Sequence, residues 1–314
     1  MSDGAAKGAA GIMPEHSAAC AERTANPLPP PLACIARSRW RGQIVTGGDR
    51  LLPEETPVAL TYNGSSHAVM MATPADLEDF AVGFTLCEGL VGTIAEIETL
   101  EVVPGELGIE LRMFLARPQA EELLRRRRYR AGPTGCGLCG VESLAEALPP
   151  LRRVQSDFRI ATDTIRAALE NFALHQHLNR QARALHGAAF CRPGQDLILR
   201  EDVGRHNALD KLAGALARRG IAAENGFVVL SSRVSIEMVQ KAAAMGAPIV
   251  VALSAPTALA VRACAAAGLT LVAIAREDSF EVFTHAERIS AASWRSTRPT
   301  PGKKSVFPPA ERRS

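Results

Sequence analysis

Residues 249–253 read Ile-Val-Val-Ala-Leu, an uninterrupted apolar run of the kind found in strands that are covered on both faces. Working outward from this run, predicted strands and helices alternate along the second half of the chain. The strands are predicted at 188–192, 196–200, 227–230 and 269–275, and the helices at 206–219, 234–245 and 257–267. Continuous apolar strands that alternate with helices indicate a partly parallel sheet between helical layers. The fold class predicted for this half is therefore α/β.

The first half is predicted to be a smaller α+β domain. Alternating residues 58–62 are followed by Asn63-Gly64, which predicts a hairpin and a return strand at 67–71. The order Thr73-Pro74-Ala75-Asp76 is typical of a helix start, and strands are expected at 99–103 and 108–115. We therefore predict a disordered tail over 1–39, the α+β domain over 40–130, the α/β domain over 131–294 and a second disordered tail over 295–314.

Composition excludes several classes of protein. The chain has 314 residues, a formal net charge of +3 and seven cysteines. A charge so close to balance predicts neither a nucleic acid nor a membrane as partner. No apolar stretch reaches the ~20 residues of a membrane helix, and the N-terminus has no signal-peptide pattern, so we expect a cytoplasmic protein. Scattered cysteines in an odd number suit a reducing compartment better than a disulfide framework.

A glycine-rich pair of cysteines is the first candidate site. Residues 133–140 read Pro-Thr-Gly-Cys-Gly-Leu-Cys-Gly, which places Cys136 and Cys139 in a segment whose glycines allow unusual backbone angles, at the predicted domain junction. A Cys-x-x-Cys pair can bind half of a zinc site, form a redox disulfide or carry sulfur as a persulfide. Each of these roles needs an accessible thiolate.

Polar segments that follow the predicted strands form a second candidate site. Ligands of open α/β sheets bind beyond the carboxyl ends of the strands. Those positions are occupied by 200–207, with Lys211 nearby, by 231–235 and by 254–257, which supply arginines, a histidine and hydroxyls at helix starts. Arg276 is suited to bidentate phosphate contact, and Glu277 or Asp278 to a base or ribose. Ordinary helix capping or a charged turn would explain each segment taken alone.

Three motifs together resemble the FdhD family of formate dehydrogenase accessory sulfurtransferases. They are Gly-Cys-Gly-Leu-Cys-Gly, Glu-Asp-Val-Gly-Arg-His-Asn-Ala-Leu-Asp-Lys at 201–211 and Ser-Ala-Pro-Thr-Ala-Leu-Ala-Val at 254–261. The resemblance extends from about Glu54 to His285. It implies an N-terminal α+β roll, a cytidine-deaminase-like α/β domain and a homodimer.

The resemblance also implies a function and its residues. Such proteins take sulfur from a cysteine desulfurase and pass it to the bis(molybdopterin guanine dinucleotide) cofactor before formate dehydrogenase receives that cofactor. Cys136 would carry the persulfide and Cys139 would assist. The guanine dinucleotide would contact a segment after the last strand, made of Ile274, Ala275, Arg276, Glu277, Asp278 and Ser279. No resident metal is expected.

Two other functions remain open from the residues alone. A deaminase-like zinc hydrolase would bind metal through Cys136, Cys139 and a histidine such as His186 or His206. The deaminase signature, however, places His-x-Glu before Pro-Cys-x-x-Cys, and this chain has no His-x-Glu before Cys136. The other possibility is a non-catalytic chaperone that binds the molybdenum cofactor while the cysteines only shape a loop.

Overall fold

The computed structural model describes residues 28–116, 151–276 and 278–291. Cys136, Cys139 and Glu277 therefore lie outside the described residues, as do the C-terminal tail and most of the N-terminal tail that the sequence predicts. Within the described residues, none of the helices is both long and apolar enough to span a bilayer.

The described structure begins with a long two-stranded hairpin. Strands β1 (Leu32–Arg41) and β2 (Ile44–Pro53) pair in antiparallel fashion along their whole length, and we call residues 32–53 the arm. Order was expected only from about Trp40, so β1 begins earlier than predicted. The reason is that Leu32 pairs with Pro53 at the base of the arm, a contact between residues distant in sequence.

A four-stranded sheet and one helix form the small α+β unit. Its strands are β3 (Thr56–Tyr62), β4 (Ser65–Ala72), β5 (Ile97–Gly105) and β6 (Gly108–Leu115), in the order β4-β3-β6-β5. Asn63 and Gly64 have φ of 50° and 77°, which confirms the predicted hairpin turn. Helix α1 (Leu77–Cys87) packs its apolar residues on one face of the sheet, and a short 3-10 helix follows at Ile94–Glu96.

The larger unit is a mixed six-stranded sheet between helical layers, which confirms the predicted α/β class. Strands β10 (Phe227–Leu230), β11 (Ile249–Ala252) and β12 (Thr270–Ala273) are parallel neighbours at its centre. Strand β13 (Glu281–Thr284) pairs with β12 at one edge, and β8 (His186–Cys191) and then β9 (Ile198–Asp202) follow β10 at the other. The remaining elements are β7 (Ile160–Ala161), α2 (Thr162–His175), α3 (His177–Ala182), α4 (Arg205–Arg218), α5 (Ile236–Met245), α6 (Ala258–Ala267) and β14 (Ile289–Ser290).

Alternate residues of the central strands enter two separate cores. Val228 and Val250 pack with α4, α5 and α6, whereas Val229 and Val251 pack with α2 on the opposite face. This alternation follows from the two-residue period of a strand. It explains why these strands are apolar at every position.

The two units meet where α1 crosses α4, and two glycines permit the contact. A Cβ on Gly83 would lie 1.7 Å from the carbonyl oxygen of Asp210, and a Cβ on Gly214 would lie 1.9 Å from that of Asp79. Both distances are far shorter than any van der Waals contact. The helix backbones therefore touch directly, and the small unit is fixed against the large one.

Candidate functional site

The segments after four strands meet along one edge of the six-stranded sheet. Leu230 pairs with Ala252, and Val251 with Val272, so β10, β11 and β12 end side by side. Antiparallel pairing places the start of β8, at His186, and the end of β9 at the same edge. We call this edge the rim, formed by residues 203–206, 231–235, 253–257 and 274–276.

Most of the segment from Arg200 to Lys211 does not face the rim, which corrects the predicted anion site there. Lys211 is fully buried, lies 2.6 Å from Asp202 Oδ2 and donates a hydrogen bond of 2.8 Å to the carbonyl of Thr73. Asn207 donates to the carbonyl of Met71, and Arg200 donates from Nε to Asp79 over 2.8 Å. These side chains bind the small unit to the large one, so they are not available to a ligand.

A second charged cluster at this junction was not predicted from the sequence. Lys241 Nζ lies 2.9 Å from the buried Asp210 Oδ1 and 3.1 Å from Oε1 of the exposed Glu88, which caps α1, so α1, α4 and α5 share one ion network. Burial opposes the charged form of Lys241, but the two carboxylates outweigh it and raise its pKa. No sequence pattern signals this network, because its three residues lie far apart in the chain.

Two half-buried histidines lie at this edge of the sheet: His206 in the rim itself and His186 at the start of β8. Burial, reinforced by the charges of Arg205 and Lys241, lowers the pKa of His206 to about 4. Burial followed by Arg205 likewise lowers the pKa of His186. The Nε2 atom of His206 is buried and makes no hydrogen bond within the part of the chain that the structure describes, and Glu237 Oε2 is 4.0 Å away. Both histidines were named from the sequence as candidate site residues, whereas Glu237 was not.

We expect His206 to make folding stability depend on pH. Its folded pKa of about 4 lies below the unfolded value of about 6.5, so the unfolded chain binds more protons between these values. The free energy of unfolding is therefore expected to fall as the pH decreases from about 6.5 to about 4. His206→Asn should make the free energy of unfolding less dependent on pH in this range. Urea unfolding at about pH 5 and about pH 7.5 measures the difference in unfolding free energy between the two pH values. His177→Asn, at an exposed histidine, is the control, and equal pH dependence in wild type and His206→Asn would contradict the prediction.

The segment after β12 forms a tight turn held by its own backbone. Arg276 N donates to Ser279 O over 2.7 Å, and the Arg276 guanidinium donates to the carbonyls of Leu253 and Ala275. Ala275 is buried, whereas Arg276, Asp278 and Ser279 are exposed. The Ser279 hydroxyl donates to Asp278 over 3.2 Å.

Ile274, at the start of this turn, has an uncommon backbone conformation. Its φ is 53°, which is rare for a β-branched residue, and its N–H donates to Ser254 O over 3.2 Å. Strain of this kind costs about 1–3 kcal/mol and is concentrated at functional sites. The observation marks the turn after β12 as the part of the rim where the backbone departs most from its usual conformations.

The thiols in the described residues are poorly suited to chemistry. Cys87, Cys191 and Cys264 are free, and burial raises the pKa of Cys191 and of Cys264 to about 12. Burial and then the Asp210 carboxylate raise the pKa of Cys87 well above its usual value. Because the thiolate is the nucleophile, none of the three is a good sulfur acceptor near neutral pH. Cys34 is disulfide-bonded, which differs from the expectation that the cysteines remain thiols.

The alternative of a zinc hydrolase has no support in the described residues. Residues 28–116, 151–276 and 278–291 contain no group of three His, Cys, Asp or Glu side chains placed to hold a metal ion. Cys136 and Cys139 lie outside these ranges, so the complete ligand set proposed from the sequence is not tested.

Comparison with known proteins relates most of the described region to one family. The sequence profile of the FdhD/NarQ family matches residues 53–290. The sulfur carrier protein FdhD of Agrobacterium fabrum is 50% identical over 81% of this chain and 95% of its own length. The sulfur carrier protein FdhD of Cupriavidus necator is 48% identical over 83% of this chain and 91% of its own length.

A solved structure gives the same relationship at the level of the fold. A protein from Desulfotalea psychrophila, assigned as a formate dehydrogenase accessory protein, superposes with a TM-score of 0.65 at 26% sequence identity. The match covers 83% of this chain and 100% of that chain.

Proposed function

Because this chain belongs to the FdhD/NarQ family, we propose that it is a sulfurtransferase that serves formate dehydrogenase. It accepts sulfur from a cysteine desulfurase and passes it to the bis(molybdopterin guanine dinucleotide) cofactor, in the cytoplasm. Relatives named as sulfur carrier proteins, each matched over more than nine-tenths of its own length, support this proposal. The larger unit is proposed to be of the cytidine-deaminase-like type, an assignment finer than the α/β class.

One structural observation carries the choice of residue. Of the three free thiols of the described residues, Cys191 and Cys264 are buried and Cys87 is partly exposed, and all three have raised pKa values, so they are poor carriers. Cys136 and Cys139 stand in the glycine-rich segment instead. We therefore assign the persulfide to Cys136 and an assisting role to Cys139.

The proposed chemistry balances in two steps. The Cys136 thiolate attacks the terminal sulfur of the donor's persulfide, a new S–S bond forms, and the donor cysteine leaves as a thiolate. The Cys139 thiolate then attacks the Cys136 sulfur, so that the terminal sulfur leaves as hydrosulfide for the cofactor and a Cys136–Cys139 disulfide remains. The two electrons that reduce the sulfur come from the two cysteines, and a cellular dithiol must reduce the disulfide before the next cycle.

The rim is the proposed binding surface for the guanine dinucleotide. The contacting segment is proposed to be Ile274, Ala275, Arg276, Glu277, Asp278 and Ser279, of which Glu277 is outside the described residues. Support comes from the exposed Arg276, whose guanidinium has five N–H donors, of which those of Nη1 are given to the carbonyls of Leu253 and Ala275, and from the uncommon backbone of Ile274. The buried Ala275 is proposed to contribute through its backbone.

Sulfur loading tests the proposal directly. After incubation with a cysteine desulfurase and cysteine, intact-mass spectrometry is expected to show a gain of one sulfur atom. Cys136→Ala should lose the gain, because Cys136 is the proposed sulfur acceptor, and Cys264→Ala is the control at a buried thiol that should keep it.

Two results would contradict the assignment. One is a wild-type chain that gains no sulfur, and the other is a gain that persists in Cys136→Ala. If formate dehydrogenase activity survived Cys136→Ala and Cys139→Ala, the chain would instead be a non-catalytic cofactor chaperone.

A further inference from the structure

Glu237 is a carboxylate in the first turn of α5 that has no cationic partner. Its Oε2 lies 4.0 Å from Nε2 of His206, whose pKa of about 4 leaves the imidazole uncharged near neutral pH. Neither an arginine nor a lysine lies within ion-pair distance of Glu237 in residues 28–116, 151–276 and 278–291. A helix start by itself favours a carboxylate in its first turn. It does not explain one that is only 22% exposed and lies beside a neutral imidazole.

Unsatisfied polar atoms concentrate around this carboxylate. Within the described residues, three buried side-chain nitrogen or oxygen atoms lack a hydrogen-bond partner, and two of them are His206 Nε2 and Ser235 Oγ. The Ser235 hydroxyl still acts on Glu237. Burial raises the pKa of Glu237, but the hydroxyl, the backbone N–H of Glu237 and nearby charges outweigh burial and lower it. Buried polar atoms without a partner are rare, so two of them beside one carboxylate point to a polar ligand at this place.

Both titratable groups keep one protonation state near neutral pH. Glu237 stays ionised and therefore only accepts hydrogen bonds, whereas the neutral imidazole of His206 has one donor and one acceptor. A side chain that transfers protons works best when its pKa is close to the ambient pH, and neither residue meets this condition. The pair is therefore suited to recognise a fixed pattern of hydrogen-bond donors and acceptors.

Backbone hydrogen bonds hold the start of α5 against the rest of the rim. Val234 N donates to Ala255 O over 3.3 Å, and Thr257 N donates to Val234 O over 2.9 Å. Ile274 N donates to Ser254 O, which joins the turn after β12 to the same frame. Because β11 lies between β10 and β12, the segments that follow these two strands begin about 10 Å apart, or two strand spacings. An extended nucleoside diphosphate can reach both segments.

The charges along the rim separate a phosphate-binding part from an N–H-binding part. Arg205, Arg233 and Arg276 lie in three different rim segments, and Arg233 and Arg276 are exposed. Guanidinium groups suit phosphate oxygens, which a carboxylate repels. Glu237 is therefore placed for the N–H donors of a ligand and not for its phosphates.

We propose that the Glu237 carboxylate recognises the guanine base of the dinucleotide, an inference that rests on the proposed function. Guanine presents its N1–H and its 2-amino group side by side, and one carboxylate can accept hydrogen bonds from both. Adenine presents a lone pair at N1 instead, which a carboxylate repels. Glu237 then selects the base, while Arg276 in the turn after β12 contacts the phosphates.

Nucleoside diphosphates that differ only in the base test this assignment. Isothermal titration calorimetry of the full chain near neutral pH is expected to show binding of guanosine diphosphate (GDP). Inosine diphosphate (IDP) lacks only the 2-amino group, so it should bind at least about tenfold more weakly, because one hydrogen bond to a charged acceptor is lost. Adenosine diphosphate (ADP) should bind more weakly than IDP, because its base has no N1–H.

Glu237→Gln removes the charge and keeps the shape of the side chain. Its amide places an N–H where guanine also has an N–H, so GDP should bind at least about tenfold more weakly and the preference for GDP over IDP should disappear. ADP should bind more tightly, because the amide can donate to adenine N1. A merely structural role would not change two affinities in opposite directions. Glu170→Gln, at an exposed residue of α2 on the other face of the sheet, is the matched control and should leave all three affinities unchanged.

Three results would overturn the assignment of Glu237. They are a wild-type chain that binds no GDP, a wild-type chain that binds GDP and IDP equally, and a Glu237→Gln variant that binds all three nucleotides more weakly by the same factor. Circular dichroism checks the fold of the variant, and the comparison of three nucleotides on the wild-type chain decides the matter even if the variant is unstable.

Sulfur loading of the wild-type chain is a separate measurement that distinguishes this inference from the proposed function. A chain that discriminates the nucleotides but gains no sulfur would contradict the proposed function alone. A chain that gains sulfur but binds GDP and IDP equally would contradict the assignment of Glu237 alone.

Discussion

Lys211→Met is expected to destabilise the protein by about 3–5 kcal/mol, because it leaves the buried carboxylate of Asp202 without its cation. Both side chains have no exposed surface, and their charged atoms are 2.6 Å apart. The substitution also removes the hydrogen bond from Lys211 to the carbonyl of Thr73, which joins the small unit to the large one. The loss should therefore appear as global destabilisation.

Urea unfolding followed by circular dichroism measures the effect of Lys211→Met. The matched control is Arg166→Met, which removes an exposed ion pair with Asp163 and is expected to cost less than about 1 kcal/mol. Adding Asp202→Asn to Lys211→Met should recover part of the lost stability, since no carboxylate is then left unpaired. Equal losses in Lys211→Met and Arg166→Met would show that the buried pair does not hold the units together.

Gly214→Ala is expected to destabilise the protein by about 2–3 kcal/mol, which is the second large effect. In an uncrowded helix the same substitution would stabilise by about 1 kcal/mol, so the sign itself is diagnostic. The added methyl would lie 1.9 Å from the carbonyl oxygen of Asp79, and backbone cannot move aside as a flexible side chain can. Helices α1 and α4 must therefore separate.

A glycine outside the crossing provides the control for Gly214→Ala. Gly47 lies in the arm, and a Cβ added there would meet no atom within 4 Å, so Gly47→Ala should change stability by less than about 0.5 kcal/mol. The midpoints of urea unfolding of Gly214→Ala and Gly47→Ala measure the two stability changes. A stabilised Gly214→Ala protein would show that the helices do not touch as described.

Local sequence patterns predicted the strands and turns that depend on residues close together in the chain. The apolar run at 249–253 predicted a central strand, and β11 is a parallel neighbour of β10 and β12. Asn63-Gly64 predicted a hairpin turn, and both residues have positive φ. The start of β1 was missed because its pairing partner is β2, whose contribution no local pattern reveals.

The segment at 201–211 shows where sequence reasoning failed at the site. Charged residues after a strand and at a helix start predict an anion site, and Arg205 and His206 do lie at the rim. Asp202, Asn207 and Lys211 instead bind backbone groups of the small unit, more than a hundred residues earlier in the chain. A charged side chain looks the same in a sequence whether it faces a ligand or a buried carbonyl group.

The sequence by itself determined the α/β class, the family and the candidate cysteines, because these depend on periodicity and on short motifs. Only the tertiary structure decided which charged residues are available. It buried Lys211 and Lys241 between the units and brought His186, His206 and Glu237 to one edge of the six-stranded sheet. The physical reason is that burial and pairing are properties of residues that meet in space, and segments far apart in the chain make those contacts here.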